Sequence, residues 1–131
     1  MFQARRFAWR PCERANTEAA VAADGLAVTE AVVVFAHAER GDEDKRGKTI
    51  TKAAKNIKWL AGKRGLRRVV LHSFTHLGGE TADPAVALAL LEEIAARLRQ
   101  AGYQVWLTPF GWSCEWELAV YGEGLAKVFK A

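Results

Sequence analysis

Two segments with helical period, set between short apolar stretches of strand character, constrain this chain to an α/β fold. From Lys48 to Arg64, the residues Ile50, Ala53, Ala54, Ile57, Leu60 and Ala61 fall on one helical face; after Asp83-Pro84, the same holds for Ala87, Leu90, Leu91, Ile94 and Leu98. Gly65 is placed to end the first helix. Asp83 and Pro84 supply an N-cap and a favoured first residue for the second, and Gly102 its stop. Around the helices, five stretches read as strands: Phe2 to Trp9, ending near Pro11; Leu26 to Ala38; Val69 to Ser73; Tyr103 to Leu107; and Cys114 to Tyr121. Pro11 to Gly25 has no period and reads as a loop or short helix, His37 to Gly47 as a charged surface loop, and Leu125 to Phe129 as a short tail. No repeat or linker divides the chain, so residues 1–131 read as a single domain with two main helices on a mixed sheet.

A chain of 131 residues buries roughly two thirds of its unfolded surface, so it needs no disulfide or metal staple. Apolar runs such as Ala31 to Ala36 are far too short to span a bilayer, and no apolar stretch follows Arg5, Arg6 and Arg10 as a signal peptide would require. Cys12 and Cys114 have no neighbours at metal-ligand spacing, so the expectation is a protein of the cytoplasm with no metal and no cofactor.

The formal charge of +4 permits a polyanionic partner, and its distribution is more informative than its size. Lys48, Lys52, Lys55, Trp59 and Lys63 share the polar face of the first helix, and Arg64, Arg67 and Arg68 continue the basic run. Two readings stand: a solvated face with cations near a helix C-terminus, or a track for nucleic-acid phosphates with a tryptophan among the lysines.

Two turns at strand ends hold the candidate chemistry. His76 follows a strand and precedes Gly78-Gly79, where missing side chains let a ligand approach the backbone; its imidazole is a candidate to orient a water or bind a ribose hydroxyl, or else to cap the turn. Glu80 either helps start the second helix or meets substrate. His37 and His72 have no partner identifiable in sequence and read as structural histidines. In Pro109-Phe110-Gly111-Trp112, proline fixes the backbone and glycine permits positive φ, while Phe110 and Trp112 offer rings for stacking or for the core.

Taken in order, Thr75-His76-Leu77-Gly78-Gly79-Glu80, the helix start Asp83-Pro84-Ala85-Val86-Ala87, Gly102-Tyr103-Gln104-Val105 and Pro109-Phe110-Gly111-Trp112 resemble the editing domain of archaeal threonyl-tRNA synthetases, from about Val28 to Lys127. The resemblance implies the D-aminoacyl-tRNA deacylase fold and a deacylase that hydrolyses the ester of mischarged tRNA, with serine on threonine-accepting tRNA as substrate. It also implies a homodimer, His76 in the editing pocket, Glu80 as a matching pocket residue, and the Pro109–Trp112 turn beside the terminal adenosine. At this length no synthetase catalytic domain accompanies it, so the expectation is a freestanding factor acting in trans, with a threonyl-tRNA synthetase as a possible partner.

Two positions depart from the family pattern. Cys114 stands where the family has a catalytic lysine, and Lys127 where it has a carboxylate. Cys114 is either strand packing or, if it faces His76, a nucleophile; Lys127 is either a replacement cation or a solvated charge. His76, Cys114 and Lys127 are therefore the catalytic candidates. Beside deacylation stand a noncatalytic tRNA-binding or synthetase-associated module and a thiol-dependent hydrolase of another acyl ester.

Overall fold

A computed structural model describes residues 1–14, 24–74 and 80–130. Its elements are β1 (Phe2–Arg14), β2 (Leu26–Ala36), α1 (Arg46–Gly62), β3 (Arg68–Ser73), α2 (Pro84–Gln100), β4 (Gln104–Leu107) and β5 (Trp112–Val120), with single 3-10 turns at Glu43–Lys45 and Gly124–Ala126. They form one small α/β domain on a mixed five-stranded sheet of order β4-β3-β2-β1-β5. β2, β3 and β4 are parallel, and β1 is antiparallel to both β2 and β5.

Parallel neighbours need crossovers, which α1 and α2 supply; because both steps run in one direction across the sheet, right-handed connections put both helices on one face. The core follows. Ile50, Ala54, Ile57 and Leu60 of α1 and Leu90, Leu91, Ile94 and Leu98 of α2 bury against Val32, Val69, Leu71 and Val105. The helix signals fall where the sequence puts them. Gly65 sits at φ 68° and the Leu66 amide reaches back to the Ala61 carbonyl at 2.9 Å; the Asp83 side chain accepts from the Ala85 amide at 2.9 Å; Gly102 has φ 93°.

Among the described residues no helix covers the other face. Phe7, Trp9, Ala31, Val33 and Val70 are buried there, with Phe35, Trp106, Cys114 and Leu118 packed against them. The Phe35 and Trp116 rings lie 5.2 Å apart although β1 separates their strands, so the large side chains close over the sheet. β3 is accordingly buried on both faces, as its apolar sequence requires.

β1 differs most from expectation. It does not stop near Pro11 but continues to Arg14 alongside β5. Its ladder with β2 ends at Trp9, so Pro11 sits where a missing N–H breaks no bond to that neighbour. Irregularities against β5 fall between Ala4 and Arg6 and between Pro11 and Glu13. The first shifts the alternation, so that Phe2 and Ala4 before it and Phe7 and Trp9 after it share a face, which explains the loose period of this segment. Trp112, expected in the preceding turn, instead opens β5, where it pairs with Arg14 and lies under its guanidinium. β2 stops at Ala36, where its ladder with β3 ends. The tail is part of the fold. Lys127 pairs with Phe2, and Met1 and Val128 exchange hydrogen bonds of 2.7 and 2.9 Å.

Candidate functional site

The carboxyl ends of β2, β3 and β4 lie side by side, tied by hydrogen bonds from the Phe74 amide to Ala36 (2.8 Å) and from the Thr108 amide to Leu71 (3.0 Å). Open parallel sheets bind ligands at this edge. Here it opens into a cleft of about 750 Å³, bounded by the end of β2, by α1 and α2, and by the two chain termini folded against each other. Val34, Ala36, Ile57, Leu90, Leu91 and Ile94 make its apolar lining. Lys45, Lys48, Lys52, Lys127 and Lys130 stand around it. The cations converge because α1 presents one lysine per turn and the tail runs beside the same helix. Lys130 from the tail and Lys63 from the helix bracket the Trp59 ring at 5.3 and 5.8 Å, and that ring is 41% exposed.

Of the residues singled out in sequence, Lys48, Lys52 and Lys127 meet at the cleft. Trp59 and Lys63 extend its basic side along α1, and Lys55 is exposed on that helix. Arg64, Arg67 and Arg68 do not continue the track. Arg64 stacks on Tyr121 at 3.7 Å and pairs with Glu123, Arg67 stacks on Tyr103 at 4.2 Å, and Arg68 bonds to Thr29, so their charges serve internal contacts. Lys127 donates to the carbonyls of Tyr121 (3.1 Å) and Gly122 (3.4 Å), which fixes its ammonium at the edge of the cleft.

The Pro109–Gly111 turn is separate from this lining. Gly111 adopts φ 81°, Phe110 packs on the helix-side core, and Trp112 begins β5. Cys114 pairs with Pro11, whereas Lys127 pairs with Phe2. The two partners are nine residues apart on β1 (11 minus 2), so Cys114 and Lys127 stand roughly 30 Å apart. Burial, and then the nearby Cys12, push the Cys114 thiol above its ordinary pKa, the opposite of what nucleophilic activation needs. Glu80 is at the surface, paired with Arg40 at 3.1 Å, and Asp83 rather than Glu80 caps α2. His76 and Gly78-Gly79 lie outside the described residues.

Sequence reasoning grouped His37 and His72 together; the structure separates them. His72 is buried, with Nδ1 2.8 Å from the Thr108 hydroxyl and Phe35 5.0 Å from its ring. Desolvation lowers its pKa to about 4, so it is a neutral, satisfied core group that ties β3 to the Pro109 turn. His37 lines the cleft, and both its ring nitrogens are buried with no hydrogen-bond partner among the described residues. Its position one residue past the end of a β-branched strand was the available signal, since ligand-facing residues gather there. Among the described residues no three metal-ligating side chains come together, and no helix is long and apolar enough to cross a membrane.

A small α/β domain with both crossover helices on one face and a cation-rimmed cleft at the strand ends presents a surface whose charge suits a polyanion. Comparison with known proteins gives the family: a profile of the archaea-specific editing domain of threonyl-tRNA synthetase matches residues 1–131. The threonine–tRNA ligase of Thermococcus kodakarensis is 35% identical over 99 residues, 76% of this chain and 16% of the ligase. That of Methanopyrus kandleri is 33% identical over 101 residues, 77% of this chain and 16% of the ligase. That of Thermofilum pendens is 30% identical over 131 residues, 98% of this chain and 21% of the ligase. The chain thus belongs to the threonyl-tRNA synthetase editing-domain family, which assigns it a role in tRNA editing, and it spans about a fifth or less of the length of these relatives.

Proposed function

We propose that this domain hydrolyses the ester joining a wrong amino acid to tRNA, with serine on threonine-accepting tRNA as substrate, and that it acts in trans on tRNA charged by a threonyl-tRNA synthetase. The observation that carries the reading is the apolar cleft with its lysine rim, in a chain of the editing-domain family. The rim suits the phosphates of an acceptor end and Trp59 suits a base. The cleft is large enough for a nucleoside and a small side chain.

Aminoacyl esters are labile, so holding ester, water and ribose hydroxyl in register supplies much of the acceleration without a strong nucleophile. His76 is the proposed organiser of that water or ribose. Lys127, held at the cleft by two carbonyls, is the proposed cation, and Cys114 is packing, in line with its raised pKa. Glu80 and the Pro109–Trp112 turn, which the resemblance sets beside the terminal adenosine, lie outside the cleft lining and take no part in this reading. A homodimer is the proposed working unit.

One observation favours a second reading, a noncatalytic tRNA-binding module: the Cys114 thiol, which the resemblance sets at the family's lysine position, is pushed above its ordinary pKa by burial. Single-turnover hydrolysis of seryl and threonyl esters on threonine-accepting tRNA separates the two. Faster loss of serine, reduced in His76→Ala and retained in Cys114→Ala, is the expected result; no cleavage above the spontaneous rate by folded, tRNA-binding protein selects the module.

A further inference from the structure

Several polar groups around the cleft are engaged with protein. The Met1 ammonium donates to the Val128 carbonyl at 2.7 Å, Lys127 to two carbonyls, and Lys130 leans on Trp59; the Asp42 carboxylate accepts from the Glu39 amide at 2.8 Å. The His37 imidazole has neither nitrogen met, and both are out of solvent. A buried polar group without a partner is destabilising, so its presence in a cleft wall calls for a partner that arrives with the ligand.

The chemistry of that partner is restricted. Five lysines around the cleft disfavour an ammonium and themselves provide for anions. Neutral imidazole offers one donor and one acceptor, and a hydroxyl matches either. We propose that His37 is a specificity-determining residue of the cleft, forming a hydrogen bond with a hydroxyl of the bound aminoacyl-nucleoside. This rests on the reading that an aminoacylated ribose enters here, and adds to it a side chain that discriminates between ligands. A site built to bond a hydroxyl rejects an analogue lacking it, because its own polar group then stays buried and unmet.

The test is calorimetric titration of the full chain with three hydrolysis-resistant 3′-amide analogues: seryl-adenosine, alanyl-adenosine and the 2′-deoxy form of seryl-adenosine. In the native protein, loss of one of the two hydroxyls weakens binding tenfold or more. In His37→Leu that difference falls below twofold, and His37→Gln restores part of it. Should His37→Leu fail to fold, the ring-nitrogen NMR shifts of His37 in the native protein serve instead, moving with seryl-adenosine and not with the analogue lacking the recognised hydroxyl. Equal discrimination in native and His37→Leu proteins, unmoved His37 shifts, or no binding of any analogue overturns the proposal. Tight His37-dependent binding with no ester hydrolysis sustains it and removes deacylation, while hydrolysis of seryl-tRNA unaffected by His37→Leu does the reverse.

Discussion

One face of the sheet is packed by two helices that part at the strand ends into a lysine-rimmed cleft; the other is closed by Phe7, Phe35, His72 and Trp116 from four strands. Each face contains a histidine, one buried and one with its ring nitrogens buried, and the two are handled oppositely. On the aromatic face His72 is held by Thr108 and kept neutral, so that its polar group is an internal fastening. At the cleft the two His37 ring nitrogens are buried with no hydrogen-bond partner among the described residues. The difference teaches that buried ring nitrogens do not by themselves mark a structural histidine; whether a protein group meets them separates the two.

If the aromatic face serves stability alone, Phe7→Ala, which empties a fully buried ring position, costs about 3–5 kcal/mol in urea unfolding while folded protein keeps its tRNA affinity. A loss of affinity in protein still folded would break the division. The next effect is on pH. His72 is neutral when folded down to about pH 4, whereas in the unfolded chain it takes up a proton near its ordinary 6.5. Stability from this group is therefore unaffected above about 6.5, declines as pH falls, and has lost about 3 kcal/mol by pH 4, below which the loss levels off. Denaturant titrations across this window check it, and His72→Phe flattens the profile.

The cleft responds in binding. Lys48→Gln with Lys52→Gln lowers tRNA affinity roughly tenfold at low salt and reduces the slope of log affinity against log salt by about 1.4, or 0.7 for each single-strand phosphate contact. Melting temperature is unchanged, since both side chains are exposed on α1. Smallest is Asp83→Ala, which removes the α2 cap for about 1 kcal/mol by urea unfolding.

The helix-covered half of the molecule was legible in the sequence because its signals are local. The Ile50–Leu60 and Ala87–Leu98 stripes, the Asp83-Pro84 start and the Gly65 and Gly102 stops each act within a few residues. The β1–β5 half was less so. Continuation of β1 through Pro11, and Trp112 as a strand residue, depend on pairing between residues about a hundred positions apart, which no local pattern encodes. The site divides in the same way. Lys48 and Lys52 were readable from helical spacing, but their meeting with Lys127 required the tail to pair with Phe2, and the difference between His37 and His72 required knowing that Thr108 sits beside only one of them.

The most direct test is hydrogen–deuterium exchange of the full chain with and without a hydrolysis-resistant seryl-tRNA acceptor-end analogue. Protection concentrated at residues 34–38, along α1 from Lys48 to Ile57 and in the tail at 127–130, with β5 from Ser113 to Leu118 unchanged, is the predicted result. Protection confined to β5 and the aromatic face, with the cleft segments exchanging as in the free protein, would contradict the assignment of the ligand to the helix-covered side.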